Sequence, residues 1–394
     1  MNRTHSGKVA FLISTMMFWF SMYTYVPILT PYVEVLGGTL FTAGAVVSSY
    51  GLAQLLVRIP LGVWSDRLGN RKLFIIGGIV CATLSSLGFA LSGSVFAALL
   101  FRALAGIAAG SWVAFTVLFT GYFKPNEAPR AMGVISFYTS IAQMAATALG
   151  GWAAQVGGWH APFALGALGG ATGLVAAAFI VEPKLPQRPS LHVRDLLRTA
   201  RRRSLLAVSS LAALSQCVTF TTMFGFTPLY AAHLHASRGQ LGLLTFFTTL
   251  PNAIAGYMSG TVLARLLGAR ATAAVGFALA AAGTAAIPLT HNMASLLATQ
   301  AVNGFGQGVA MPMLMGLSVR SVPMHERATA MGVFQAVYSL GMFGGPLMVG
   351  VIGDQAGLRG SFLVVSLISA IAAILCFLWL PRAQHASAAE HSSA

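Results

Sequence analysis

The sequence predicts an all-α membrane protein: twelve transmembrane helices in two pseudo-symmetric six-helix bundles. Three observations carry this expectation. Only 8% of the 394 residues are charged and 56% are apolar, where a soluble domain carries about 25% charged residues. Mean hydropathy is +0.77. The apolar residues fall into runs long enough to cross a bilayer, and two segments recur at an offset near half the chain length.

A spanning helix needs roughly 20 mainly apolar residues. In chain order the runs are 9–33, 40–64, 73–91, 95–121, 130–152, 161–181, 204–232, 239–264, 271–289, 293–318, 328–352 and 360–380. Arg3 and Lys8 precede the first run, which is too long for a signal-peptide core and reads as a retained span. Ala, Leu and Gly fill the runs without dyad alternation, which argues against membrane strands.

Between the sixth and seventh runs lies EPKLPQRPSLHVRDLLRTARRR, residues 182–203, with three prolines and seven Lys or Arg. It reads as a basic linker holding a short amphipathic helix, Leu191 to Ala200, along the headgroups. It divides an N-terminal bundle, 1–181, from a C-terminal bundle, 204–380, and a small polar tail, 381–394, is expected to be disordered. The tail histidines, His385 and His391, read as incidental.

The two halves look duplicated. PNEAPRAMGV at 125–134 matches PMHERATAMGV at 323–333, and Gly106 and Gly110 match Gly304 and Gly308 at almost the same offset. Charge sets the orientation. With both termini cytoplasmic, the inner loops and ends hold 19 Lys or Arg and the outer loops only Arg238 and Arg359. That asymmetry accounts for the net charge of +15, and no basic stripe interleaved with aromatics suggests a nucleic-acid partner.

Cys81, Cys217 and Cys376 lie inside apolar runs without ligand spacing, so neither disulfides nor a metal site is expected. Paired histidines, HExxH, a carboxylate pair and a nucleotide-binding loop are all missing from the sequence. An enzyme, an ATP-driven pump and a cofactor are therefore not expected.

Gly62 to Lys72 reads GVWSDRLGNRK. It resembles the signature G-x-x-x-D-R-x-G-R-[RK]-[RK] of the major facilitator superfamily, with Asn70 at the first basic position. FRALAGIAAG, with Arg102, Gly106 and Gly110, resembles that family's R-x-x-x-G-x-x-x-G motif. The resemblance covers the whole chain. It implies alternating access and a cytoplasmic latch formed by Gly62, Asp66, Arg67, Gly69 and Arg71. Physically, Gly62 would allow close helix approach and Asp66 would accept from helix N-terminal amides. The second-half counterpart, Gly260 to Arg270, carries Ala264 where the acid would stand. The resemblance also ties Arg102 to proton handling and implies a monomer. Gly341 to Asp354 resembles an antiporter motif, but in the eleventh span rather than the fifth.

Embedded charges are functional candidates because they are costly in hydrocarbon. Arg58 and Arg102 lie inside spans, and Gln54 shares a helix face with Arg58. None of the eight acids lies mid-span. Glu34, at the outer end of the first span, is the carboxylate candidate for proton coupling alongside Arg102. Spans 1, 4, 7 and 10 line the cavity in the family. Trp19, Tyr23, Gln54, Arg58, Arg102, Tyr138, Gln216, Phe220, Asn303, Gln307, Gln335 and Tyr338 are the candidate lining residues. The expected protein is a multi-pass transporter of the plasma (cytoplasmic, inner) membrane. It would move a small molecule, by efflux of small amphipathic compounds coupled to protons. The alternative is transport of an anionic metabolite recognised by Arg58 and Arg102.

Overall fold

The computed structural model describes residues 3–124, 127–183, 198, 201–320, 322 and 326–380. The expected amphipathic segment is, apart from Arg198, outside these residues, as is the tail.

Among the described residues, twelve long helices follow one another once the breaks at Gly268 and Gly357 are taken into account. They are α1 (Ser6–Val35), α2 (Leu40–Leu68), α3 (Arg71–Leu91), α4 (Val95–Thr120), α5 (Ala128–Gly157) and α6 (Ala161–Ala178) in the first bundle. The second holds α7 (Arg203–His233), α8 (238–267), α9 (269–286), α10 (Met293–Arg320), α11 (327–356) and α12 (358–379). Gly268 (φ 74°) and Gly357 (φ 71°) separate α8 from α9 and α11 from α12. Left-handed backbone of this kind suits glycine, which lacks a Cβ. At 1.5 Å per residue, about 20 residues span the hydrocarbon. The outward faces expose Leu56, Phe137, Trp152, Leu168, Phe179 and Leu378, a belt that only lipid can cover.

The duplication reaches backbone detail. α1 breaks into a 3-10 turn, Val26–Ile28, with Pro27 in its first turn. α7 loosens into a π-helical turn, Thr222–Phe226, just before Pro228. Proline has no N–H to give the preceding turn and crowds its carbonyl. A Cβ on Gly106 would strike the Tyr50 carbonyl of α2, and one on Gly304 would strike the Thr248 carbonyl of α8. Both residues of the second contact lie 198 positions after those of the first.

One end of the molecule carries the Gly62–Lys72 loop and is called the basic end. Here Glu182 accepts from the amides of Arg71 (2.8 Å) and Lys72 (3.1 Å), and the Asn70 side chain accepts from Leu73 N at 3.2 Å. These bonds satisfy orphan donors in the first turn of α3. Burial and the nearby Glu182 charge push the Tyr122 phenol up to about 12, so it stays neutral and donates to the Val181 carbonyl.

The bundles meet at the other, far end. Glu34 faces His233 at 2.9 Å. Thr30 Oγ1 donates to the Gly225 carbonyl (2.6 Å), which the π-turn presents, and Phe41 N donates to Asp354 Oδ1 at 3.3 Å. Arg238 stacks 4.4 Å over Trp159. Backbones touch along α2 and α11: Gly44 lies against the Pro346 carbonyl and Gly51 against Met342 and Phe343. Gly151 of α5 abuts Gly242 of α8. The described structure is thus tied together at the far end.

Candidate functional site

The centre is built from the first, second and fourth spans of the first bundle and the first of the second. Met22, Tyr23 and Val26 of α1, Tyr50, Arg102, Phe220 and Phe224 line a small recess. Its free interior holds about one water. The aromatics pack edge to face or stacked: Trp19 on Tyr23 (5.6 Å), Tyr23 on Phe224 (5.8 Å) and Tyr50 on Phe220 (5.8 Å). The π-turn in α7 carries Phe224 into this set, as π-turns at functional sites often do.

Two guanidiniums enter this aromatic centre, and both are buried. Arg102 stacks over the Tyr50 ring at 4.5 Å and lies 5.8 Å from the Tyr25 ring. Arg58 donates through Nη1 to the Tyr338 hydroxyl at 3.0 Å, across the interface between bundles. Tyr50 precedes Arg58 by eight residues on α2, so their backbone positions are roughly 12 Å apart along the helix. Arg102 lies toward the far end and Arg58 toward the basic end.

Arg58 Nε, Arg102 Nε, Trp19 Nε1 and Gln54 Oε1 are buried without a hydrogen-bond partner among the described residues. An unmatched buried polar atom costs on the order of 1–3 kcal/mol, more when charged. Three of the four are donors. The site offers positive charge, N–H groups and aromatic surface.

The remaining candidates divide. Asn303 donates to Thr284 Oγ1 (3.0 Å), and Gln307 accepts from Ser215 (2.7 Å). Both are buried hydrogen bonds inside the second bundle, outside the recess lining, and they serve helix association. Gln216, Gln335 and Tyr138 are half-buried on α7, α11 and α5, and Tyr138 makes a ring contact with Phe137. Glu34 lies at the far-end closure, about 40% exposed, rather than near the arginines.

Around the basic-end loop, Gly62 makes no close helix approach, contrary to the sequence reading: nothing lies within 4 Å of an added Cβ. Gly69 caps α2 with φ 61°, Arg67 is exposed and Arg71 is buried. The Asp66 side chain lies outside the described residues. At α3 the first amides donate to Glu182. Sequence reasoning missed Tyr50, Tyr25, Phe224 and His233. Tyr50 lies on the same span as Gln54 and Arg58, and the Tyr50–Gln54–Arg58 spacing of four marks one helix face.

The comparisons with known proteins agree with this architecture. The chain is 23% identical over 372 residues to an uncharacterized MFS-type transporter of Methanocaldococcus jannaschii, covering 90% of this chain and 93% of that one. It is 25% identical over 217 residues to the efflux pump azaK of Aspergillus niger, covering 48% and 46% respectively. Its fold matches an inward-facing, unoccupied bacterial homolog of the lysosomal transporter Spinster with a TM-score of 0.79. That match has 17% identity and covers 96% of this chain and 97% of the other. The Major Facilitator Superfamily profile matches residues 11–234 and 209–393. With both bundles matched in sequence and the paired six-helix fold in place, the chain belongs to the Major Facilitator Superfamily, and it is a membrane transporter of small molecules.

Proposed function

We propose that this transporter exports small amphipathic compounds bearing an anionic group, by alternating access, with its basic end and both termini in the cytoplasm. One observation carries the reading. Two buried arginines stand in an aromatic centre, each with an unpartnered Nε, and none of the chain's acids lies mid-span to neutralise them. An isolated buried charge is expensive, and an anion bound bidentately would satisfy both its charge and its N–H geometry. Aromatic walls suit an apolar body.

Arg58 would receive the anion from the cytoplasmic side, and Arg102 of α4, nearer the far end, would hold it as that end opens. The loop Gly62, Asp66, Arg67, Gly69 and Arg71 would close the basic end in that second state. The 19-to-2 distribution of Lys and Arg supports the orientation, and the azaK resemblance supports the outward direction.

A membrane potential, negative inside, already drives an anion outward by about 2.3 kcal/mol per charge per 100 mV. Export of a monoanion therefore needs no proton. Proteoliposomes with an imposed potential or an imposed pH gradient test this. Potential-driven flux of an organic monoanion, blocked in Arg58→Gln, supports the reading. Flux driven only by the pH gradient and lost in Glu34→Gln returns the account to proton antiport.

A further inference from the structure

Most hydrogen bonds between the bundles lie at the far end: Thr30 to Gly225, Phe41 to Asp354, Glu34 to His233, and Arg238 and Gly239 to α5. Among the described residues, one hydrogen bond between the bundles lies elsewhere, from Arg58 Nη1 to Tyr338 Oη at 3.0 Å. The guanidinium carbon also lies 5.7 Å from the Tyr338 ring. Arg58 thus takes its hydrogen-bond partner from the opposite bundle.

That bond leaves a particular edge without a partner. Nη1 is engaged, while Nε is buried and unpartnered. A guanidinium is a planar fork, and fixing one terminal nitrogen fixes the direction of the rest. The edge carrying Nε is the edge a carboxylate or phosphate grips with two parallel bonds. A long side chain without an anchor would spread over several rotamers and lose part of that affinity.

We propose that Tyr338 is a positioning residue: it aims the Nε edge of Arg58 at the anionic group of the substrate, and it does so only while α11 sits in its present register on α2. This rests on the anion reading given above. Tyr338 touches the arginine, not the substrate. A hydrogen bond of 3.0 Å survives little sliding, so rocking of one bundle over the other removes the aim. Affinity at Arg58 is therefore high in the arrangement that makes this bond and falls as the far end opens. A transporter needs such a fall in order to release what it has bound.

A double-mutant cycle tests the assignment, with 1-naphthoate and decanoate as probes in nanodiscs. Tyr338→Phe is expected to weaken probe binding about 3- to 10-fold, and Arg58→Gln at least as much. The double variant is expected to bind no worse than Arg58→Gln alone, because Tyr338 acts through Arg58. Thermal melting of each variant checks folding, and a Tyr338→Gln variant, which restores an acceptor, should recover part of the loss. Additive losses, or unchanged binding in Tyr338→Phe, overturn the positioning role while leaving the anion site intact. Unchanged binding in Arg58→Gln, or no binding to the wild-type chain, overturns the anion reading and this inference with it.

Discussion

His233 Nε2 lies 2.9 Å from Glu34 Oε1 and 3.1 Å from Oε2, and the two residues come from opposite bundles, 199 positions apart in sequence. The pair sits where the far ends of α1 and α7 meet. Nearly half of each side chain is exposed, 43% for Glu34 and 48% for His233. Water at the far end reaches both residues. The pair ties α1 to α7 at this end and is placed to gate it.

Glu34→Gln is accordingly expected to favour far-end opening modestly. Exposed pairs are worth about 0.2–1 kcal/mol, a shift of roughly 1.5- to 5-fold in the ratio of states. Reactivity of a cysteine placed at Thr30 toward an impermeant thiol reagent reads this directly. No change in labelling would mean that the pair does not hold the far end closed.

Gly51→Ala is expected to act more strongly. Its new Cβ would lie 2.7 Å from the Met342 carbonyl carbon and Phe343 nitrogen, and backbone atoms yield less easily than side-chain tips. Overpacking of this kind costs about 1–3 kcal/mol, and here the cost falls on the far-end-closed state. The same labelling assay should show a larger rise than in Glu34→Gln. Unaltered labelling with full transport would remove the α2–α11 seam from the gating account.

Glu182→Gln is expected to lower thermal stability without changing substrate affinity. Losing the carboxylate weakens the bonds to Arg71 N and Lys72 N and its favourable field at a helix N-terminus, about 1 kcal/mol in all. Differential scanning fluorimetry checks the first half and probe binding the second. A drop in affinity would assign Glu182 a role beyond anchoring.

Arg102→Lys tests shape against charge. The lysine keeps the charge but loses the flat stack on Tyr50, 4.5 Å away in the native chain. Transport of an organic monoanion is expected to fall about tenfold in kcat/KM, and Arg102→Gln should fall further. Full activity in Arg102→Lys would reduce the residue to a point charge.

Much of the fold was legible because hydrocarbon imposes simple demands. Apolar runs of the right length became helices, with breaks at Gly268 and Gly357 where the sequence reading had placed short connections. The embedded arginines were legible because charge inside a span is rare. The pairings were not. Asn303 and Gln307 look like cavity amides in sequence, yet each finds a partner on a neighbouring helix. Glu182 reads as linker until its carboxylate is seen on the α3 amides. The Glu34–His233 and Arg58–Tyr338 contacts depend on how two bundles dock, which local spacing does not encode.

The central claim is best tested by comparing 1-naphthoate with its neutral amide in proteoliposomes under an imposed potential. The account predicts potential-driven movement of the carboxylate, none of the amide, and loss of that movement in the Arg58→Gln/Arg102→Gln double variant. Equal movement of both compounds, unchanged in the double variant, would contradict it.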